Sequence, residues 1–263
     1  MSDINAILKE FRPVKLDEMD SVNFMNRNDT KYLFNINSLP ELLKSAASGY
    51  RILEINDERS FSYCTTYYDT PAYSLYYQHV TGKLGRNKIR VRTYESTGTS
   101  FLEVKNKTNK GKTVKSRIKR KTEAGITEGK GFDFISEVMP DCNPDDLRPM
   151  LTNRFIRVTL ANFEVKERIT IDFNVSFSVD GEKSICLPYL AIAEIKRDRN
   201  SGCSPFYRQI KRMGIREASF SKYCVGLALL NDMPKSNTLK PRLLTLNKIK
   251  NEPGNTVIGG KRS

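Results

Sequence analysis

Apolar residues recur along the chain at two different periods. Near the start, Ile4, Ile7, Leu8 and Phe11 fall on one helical face until Pro13 ends the run. Leu39, Leu42, Leu43 and Ala46 form a second stripe. Ser38 precedes it, with Pro40 in the first turn and Glu41 placed as in a capping box. Helical spacing then disappears, apart from a short piece near Phe132 to Val138. One further helix is predicted from Ser204-Pro205 through Phe206, Ile210 and Met213 to Gly214, a natural stop. The next carries Phe220, Tyr223, Cys224, Leu227 and Leu230.

Between these helices the period is two, as in strands. Arg27, Asp29 and Lys31 alternate with Tyr32, Phe34 and Ile36 across the two faces of one strand. Lys88, Arg90 and Arg92 alternate with Ile89 and Val91, and Glu103, Lys105 and Lys107 with Leu102 and Val104. Lys115, Arg117 and Lys119 alternate with Val114 and Ile118. Arg168, Thr170, Asp172 and Asn174 alternate with Ile169, Ile171 and Phe173; Glu194, Lys196 and Asp198 alternate with Ala193 and Ile195. A sheet with one face in water commonly alternates in this way. Here, however, the polar face holds ions of both signs rather than Thr, Ser and Gln. Helices at both ends of the chain need apolar surface to pack on. The apolar strand faces are therefore expected to be covered from outside, leaving the ionic faces to line a closed barrel or tunnel. The fold class is α+β, an antiparallel β-barrel or tunnel with flanking helices. So many enclosed cations are costly unless a polyanion and a metal neutralise them, which points to a phosphate-rich ligand.

Charge sharpens this reading. The 263 residues carry a net +14. Residues 88–120 hold eleven Lys and Arg against Glu95 and Glu103, a net +9. Residues 233–263 hold seven against Glu252 alone, a net +6, with Pro234, Pro241, Pro253 and Gly259-Gly260. Residues 1–232 are expected to form one domain and 233–263 a basic, flexible tail. Five cysteines without a C-x-x-C pair predict a reducing, cytoplasmic setting, with the cysteines as small core residues. The start of the chain lacks the pattern of a signal peptide, and no run approaches a membrane span. A single histidine, His79, expected on the surface or in a loop, argues against His-dependent triads and multi-His metal centres. Gly111-Lys112-Thr113 lacks the earlier glycine and the strand-to-helix setting of a P-loop, and Gly82-Lys83-Leu84-Gly85 reads as a turn. Tyr63, Tyr67, Tyr68, Tyr73, Tyr76 and Tyr77 could stack bases beside a basic patch, but they fit strand packing equally well.

Several segments resemble one family in order: Arg27-Asn28-Asp29-Thr30-Lys31-Tyr32, Tyr67-Tyr68-Asp69-Thr70-Pro71, Lys88-Ile89-Arg90-Val91-Arg92 and Phe101-Leu102-Glu103-Val104-Lys105. Asn153-Arg154, Glu167-Arg168-Ile169-Thr170-Ile171-Asp172, Ala193-Glu194-Ile195-Lys196 and Phe220-Ser221-Lys222-Tyr223 follow. The chain resembles the VTC-type polyphosphate polymerase domain, a branch of the triphosphate tunnel metalloenzymes, over roughly residues 20 to 232. The resemblance implies a tunnel of about eight antiparallel strands that holds ATP, a growing polyphosphate chain and Mn2+ or Mg2+. It implies transfer of the γ-phosphate of ATP onto polyphosphate. By position, Lys31, Arg90, Arg92, Lys105, Arg154, Arg168 and Lys222 are the implied phosphate ligands, with Arg27, Lys115, Arg117 and Lys196 less firmly aligned. Glu194 is the implied metal ligand; Glu103, Asp172 and Asp29 are further carboxylates in reach of that role or of pairing with cations. Many tunnel enzymes begin with Glu-x-Glu-x-Lys, where this chain has Arg27-x-Asp29-x-Lys31, a departure that favours the polymerase over triphosphatase or cyclase members. A triphosphate-hydrolysing enzyme and a non-catalytic polyanion- or RNA-binding module are the alternatives. No specific nucleic acid is expected as partner. The basic tail leaves open a contact at the inner membrane face with a membrane-protein partner that exports product.

Overall fold

The computed structural model of the chain describes residues 2–19, 27–110, 112–120, 125–198, 203–230 and 237–252. In chain order the elements are α1 (Ser2–Lys9), β1 (Arg12–Val14), β2 (Arg27–Asn35), α2 (Leu39–Ala46), β3 (Arg51–Leu53), β4 (Phe61–Asp69) and α3 (Ser74–Val80). Next come β5 (Arg86–Tyr94), β6 (Thr99–Lys107), β7 (Thr113–Arg120), α4 (Gly129–Val138), β8 (Arg148–Asn162) and β9 (Glu167–Val179). The chain continues with β10 (Lys183–Leu187), β11 (Leu190–Asp198), α5 (Pro205–Arg212), α6 (Lys222–Leu230) and α7 (Lys240–Lys250). The main strands join antiparallel in the order β2-β11-β9-β8-β4-β5-β6-β7. The fold is thus α+β around a large antiparallel sheet, as the period of two predicts.

The expected closed barrel is corrected: among the described residues β2 and β7 end the hydrogen-bonded path. The sheet curls instead. Lys88 on β5 and Lys105 on β6 have pKa values lowered first by burial and then by the charge of Lys31, which lies on β2 at the opposite end of the path. Strand β2 therefore faces β5 and β6 across one concave surface.

The convex surface is covered as predicted. Ile7, Leu8 and Phe11 of α1 and its following turn, Leu42 and Leu43 of α2, and Phe206 and Ile210 of α5 pack on Ile169, Ile171, Ala193 and Ile195. Phe134 and Ile135 of α4 cover Ile89, Leu102 and Val104. Ser204 Oγ accepts from the Tyr207 N–H at 3.1 Å and starts α5, and Gly214 stops the segment with φ 68°. The capping box at Ser38 does not form. Asn35 instead accepts from the Asn37 N–H at 3.0 Å and opens a 3-10 turn that feeds α2.

Not every helix lies outside the curl, which the strand pattern did not anticipate. Helix α6 is buried on every side through Tyr223, Cys224, Val225, Gly226, Leu227 and Ala228. It packs on the inward residues Leu33, Tyr67, Leu151, Phe177 and Ile192. A Cβ at Gly226 would come within 2.6 Å of both Leu151 and Phe177, so glycine permits the close approach. A β-bulge makes room for this arrangement. Asn174, with φ 51°, sits where the β8–β9 register shifts. Before it, Asp172 pairs with Arg157 on the inner face; after it, the odd positions Val175 and Phe177 turn inward. One concave surface therefore has an apolar end filled by α6 and an ionic end.

Three smaller expectations also change. Helix α3 was not predicted, its seven residues being too short for a clear stripe; His79 lies on it, half-buried, with Nε2 3.0 Å from the Asn87 carbonyl. Burial and Lys88 lower its pKa to about 3. Cys224 is buried, but Cys186 and Cys203 are exposed. Part of the expected tail is docked: α7 buries Leu246 and Ile249, Asn35 Nδ2 donates to the Ile249 carbonyl at 2.9 Å, and Thr238 Oγ1 donates to the Val80 carbonyl at 2.7 Å. Residues 233–236 and 253–263 of that tail lie outside the described residues. No helix among the described residues is long and apolar enough to cross a membrane.

Candidate functional site

The strand registers set the ionic end in rows. Across β9, β11 and β2 lie Thr170–Glu194–Lys31 and, one step along, Arg168–Lys196–Asp29. Across β5, β6 and β7 lie Lys88–Lys105–Lys115, Arg90–Glu103–Arg117 and Arg92–Phe101–Lys119. From β8, Asn153, Phe155 and Arg157 stand opposite Thr65, Tyr63 and Phe61 of β4. The first turn of α6 adds Lys222, whose ammonium contacts Asp172. Antiparallel pairing places side chains directly opposite one another on one face, so these residues are neighbours because their strands are.

Besides the exposed Asp29, three less exposed carboxylates sit among these cations, and they are not equivalent. Glu103 is 1 % exposed; Arg90 donates to it at 2.7 Å and Lys115 bridges to it. Asp172 takes a two-pronged contact from Arg157, at 2.5 and 2.8 Å, besides Lys222. Burial would raise both carboxyl pKa values, but the paired cations outweigh it: Glu103 falls to about 2, and Asp172 is also lowered. Glu194 is different. Its nearest ion pair is with Lys196 at 3.6 Å. Burial opposes its ionisation, yet the field of Lys196, Lys31, Arg157 and Lys105 brings its pKa to about 2. Glu194 is thus a firmly ionised carboxylate whose ion pair with Lys196 is looser than the pairs made by Glu103 and Asp172.

The cations are the strained partners. Burial, reinforced by Lys31, Lys105 and Arg90, pushes Lys88 down to about 8. Burial lowers Lys196 to about 8 although Glu194 opposes it, and lowers Lys222 to about 8 although Asp172 opposes it. Arg92 falls to about 10 through burial, Arg90 and Arg157. A lowered lysine or arginine pKa means that the site disfavours its own positive charge. Aromatic rings hold part of it in place. Tyr63 and Phe155 stack with centroids 5.2 Å apart and 3° between planes. Arg157 lies over both rings at 5.3 and 5.2 Å, Arg92 lies over Tyr63 at 5.6 Å, and Lys222 over Phe155 at 3.8 Å.

Most of the predicted ligands converge here: Lys31, Arg90, Arg92, Lys105, Arg168, Lys196 and Lys222, with Lys115 and Arg117 on the end strand β7. Arg27 is in register with Asp198 at the end of β2, and Asp29 in the same strand is exposed. Arg154 is not brought to this surface. It stands opposite Cys64 on the outer face, with 59 % of its side chain exposed, and pairs with Glu95 there. Arg157, three residues further along the same strand, takes the inward place, and Lys88 joins it; neither was foreseen as a ligand. The signal for Arg157 was in the sequence: Arg154 shares its parity with the apolar Ile156, Val158 and Leu160, whereas Arg157 falls on the other face with Asn153 and Thr159.

A sequence profile described as the VTC domain matches residues 26–231. The chain belongs to the VTC domain family. No curated protein matches the chain. Solved structures similar to this VTC domain include a provisionally named adenylate cyclase from Bacillus halodurans, with TM-score 0.48 and 13 % identity over 75 % of this chain and 96 % of that one. A Hippeastrum protein, named as an adenylyl cyclase with a dominant triphosphatase activity, has TM-score 0.49 and 14 % identity over 79 % and 97 %. A further provisionally named adenylate cyclase, from Vibrio parahaemolyticus, has TM-score 0.44 and 13 % identity over 76 % and 99 %.

The VTC domain's donor set can be tested against a divalent cation. Among the described residues no three His, Cys, Asp or Glu side chains form a ligand set of their own. Glu103 and Asp172 are closely engaged by cations, whereas Glu194 offers an ionised carboxylate in a looser ion pair with Lys196 at 3.6 Å. One carboxylate, with phosphate oxygens and water completing the sphere, suits an oxygen-seeking ion such as Mg2+ or Mn2+. The residues fit such an ion bound together with a phosphate ligand.

Proposed function

We propose that this VTC domain is a metal-dependent polyphosphate polymerase, binding ATP and a polyphosphate chain at its ionic end and transferring the γ-phosphoryl group to the chain. The observation that carries the reading is the convergence of Lys31, Lys88, Arg90, Lys105, Lys196 and Lys222 on one concave surface, where burial lowers the pKa of Lys88, Lys196 and Lys222. Such a surface is under-neutralised until a polyanion arrives. Membership of the VTC domain family supports the same substrate class.

The residues divide the work. Arg90, Arg92, Arg157 and Arg168 present planar guanidinium groups suited to two-point contact with phosphate oxygens, and Lys31, Lys88, Lys105 and Lys222 present point charges. They align the acceptor's terminal oxygen with the γ-phosphorus. That oxygen forms the new P–O bond, the bond to the β–γ bridging oxygen breaks, and ADP leaves. Phosphoryl transfer of this kind needs positioning and positive charge rather than a side-chain nucleophile. This agrees with the absence of a Ser–His or Cys–His pair from the ionic rows described above. Glu194 would hold a divalent ion, which when bound supplies charge neutralisation at the phosphate oxygens.

Incubation with γ-labelled ATP and Mn2+, followed by gel separation, tests the proposal. Labelled chains should lengthen with the wild type. Glu194→Gln should lower turnover by orders of magnitude, since metal stabilisation is worth roughly several kcal/mol and each ~1.4 kcal/mol is tenfold. Tripolyphosphate binding should persist, because the cations remain. Release of free phosphate without lengthening would mark a hydrolase, and binding without turnover under any divalent ion would mark a binding module.

A further inference from the structure

Two sequence features remain without a role in the ionic rows: Asp69 in Tyr67-Tyr68-Asp69-Thr70-Pro71, and Tyr223 in Phe220-Ser221-Lys222-Tyr223. The fold joins them. Asp69, at the end of β4, is fully buried. Its Oδ1 accepts from the Thr70 and Leu75 N–H groups, both at 2.8 Å. Its Oδ2 accepts from the Tyr76 N–H at 2.8 Å and from the Tyr223 hydroxyl at 2.5 Å. Tyr223 stacks on Tyr67 with centroids 5.2 Å apart and meets Tyr76 edge-on at 6.4 Å. Burial, and then the charge of Asp69, push its pKa up, so the hydroxyl keeps its proton and remains the donor.

On the other side of Tyr223 the chain enters the ionic end. Lys222 contacts Asp172 and lies 3.8 Å from the Phe155 ring centre. The Phe220 carbonyl accepts from Lys31 Nζ at 3.2 Å. Residues 220–223 thus have two contacts with ionic residues and one anchor in a different part of the protein.

We propose that Asp69, acting through the Tyr223 hydroxyl, is a positioning residue that fixes the first turn of α6 and so places Lys222 for a phosphate chain. The inference rests on the polyanion reading of the ionic end. Lysine has a flexible four-carbon stem, and its charge helps a ligand only after the stem is ordered. Ordering one such side chain on binding costs roughly two- to tenfold in affinity. An anchor at the adjacent residue meets part of that cost before the ligand arrives. The ring of Tyr223 already fills its space by stacking, so the hydroxyl adds direction rather than bulk. Without it Asp69 keeps three backbone donors, and the turn into α3 stays satisfied.

The test is a double-mutant cycle on the full chain, with tripolyphosphate as probe in calorimetric titrations at several salt concentrations. Tyr223→Phe should weaken binding about two- to tenfold. In a Lys222→Ala background the same substitution should have no further effect, because the residue through which it acts is gone. A merely structural role would weaken both backgrounds equally. Asp69→Asn should match Tyr223→Phe where it folds; Tyr223→Phe, which keeps the ring, carries the test where it does not. Additive losses, or a Tyr223→Phe protein that binds like wild type, overturn the positioning role and leave the polyanion reading standing. A wild type that does not bind tripolyphosphate overturns both.

Discussion

The two ends of the concave surface share the strands β2, β9 and β11 and have opposite physical characters. On β2 the inward face runs from Leu33 to Lys31, on β11 from Ile192 to Glu194 and Lys196, and on β9 from Phe177 and Val175 to Asp172 and Arg168. The apolar end is sealed by α6 and contributes stability by burial. The ionic end gathers like charges whose lowered pKa values record the cost of holding them there. One end stabilises the fold, and the other holds the charge needed to bind a polyanion at some cost to stability.

The sharpest way to break this comparison is to truncate one buried side chain at each end. Phe177 is 1 % exposed against α6, so Phe177→Ala should lower unfolding stability by about 3–5 kcal/mol in urea melts. Arg92 is 8 % exposed, and its neighbours here are the Tyr63 ring at 5.6 Å and Thr65 Oγ1 at 3.5 Å. Arg92→Met should leave stability unchanged or raise it by about 1–4 kcal/mol, as when buried charges give way to apolar groups of similar size. It should also weaken tripolyphosphate binding. Loss of stability from Arg92→Met as large as from Phe177→Ala would show that both ends serve the fold alike.

Titration separates the two ends next. Lys88, Lys196 and Lys222 stand at about 8 in the fold, chiefly through burial, against 10.5 ordinarily. Between these values the unfolded chain binds more protons than the folded one, so stability without ligand rises with pH there. Thermal midpoints should climb from pH 7.5 to 9.5 in phosphate-free buffer. Over the same range tripolyphosphate affinity should fall about tenfold or more as the lysines lose charge. On the acid side, Glu194 and Glu103 are held near 2 against 4.5, so their contribution is present above 4.5 and fades as pH falls towards 2. A thermal midpoint that falls along with affinity above pH 8 would contradict the buried-lysine account.

Periodicity made the ionic faces legible because antiparallel strands preserve parity: Arg90, Glu103 and Arg117 align across β5, β6 and β7 as their alternation predicts. Parity fails where the register shifts. The bulge at Asn174 turned an expected polar position into the switch that brings Val175 and Phe177 inward, and no local signal marks it. Helix α6 was predicted as an element but not as an inner plug, since an apolar run does not reveal which side of a sheet it covers. Helix α7 was hidden by its charge and prolines: only Leu239, Leu246 and Ile249 of this segment are fully buried. Sequence also showed the carboxylates without ranking them, because the close pairing of Glu103 and Asp172, and the looser setting of Glu194, depend on which cations the curl brings across.

The smallest expected effect concerns the face assignment on β8. Arg154 and Arg157 are three residues apart and so lie on opposite faces of one strand. Arg154 pairs with Glu95 in solvent, and an exposed pair of this kind contributes about 0–1 kcal/mol. Arg154→Ala should therefore change stability by less than about 1 kcal/mol and tripolyphosphate affinity by less than about twofold, with the salt dependence of binding unaltered. Arg157 touches Asp172 with two nitrogens and lies over Tyr63 and Phe155. Arg157→Ala removes an inward cation and leaves Asp172 to Lys222, so affinity should fall and its salt slope flatten by about one contact. The slopes make the comparison specific, since they count the charges a polyanion meets rather than the stability of the protein that carries them. A flattened slope for Arg154→Ala, with none for Arg157→Ala, would place the polyanion on the outer face and remove the concave surface from the mechanism.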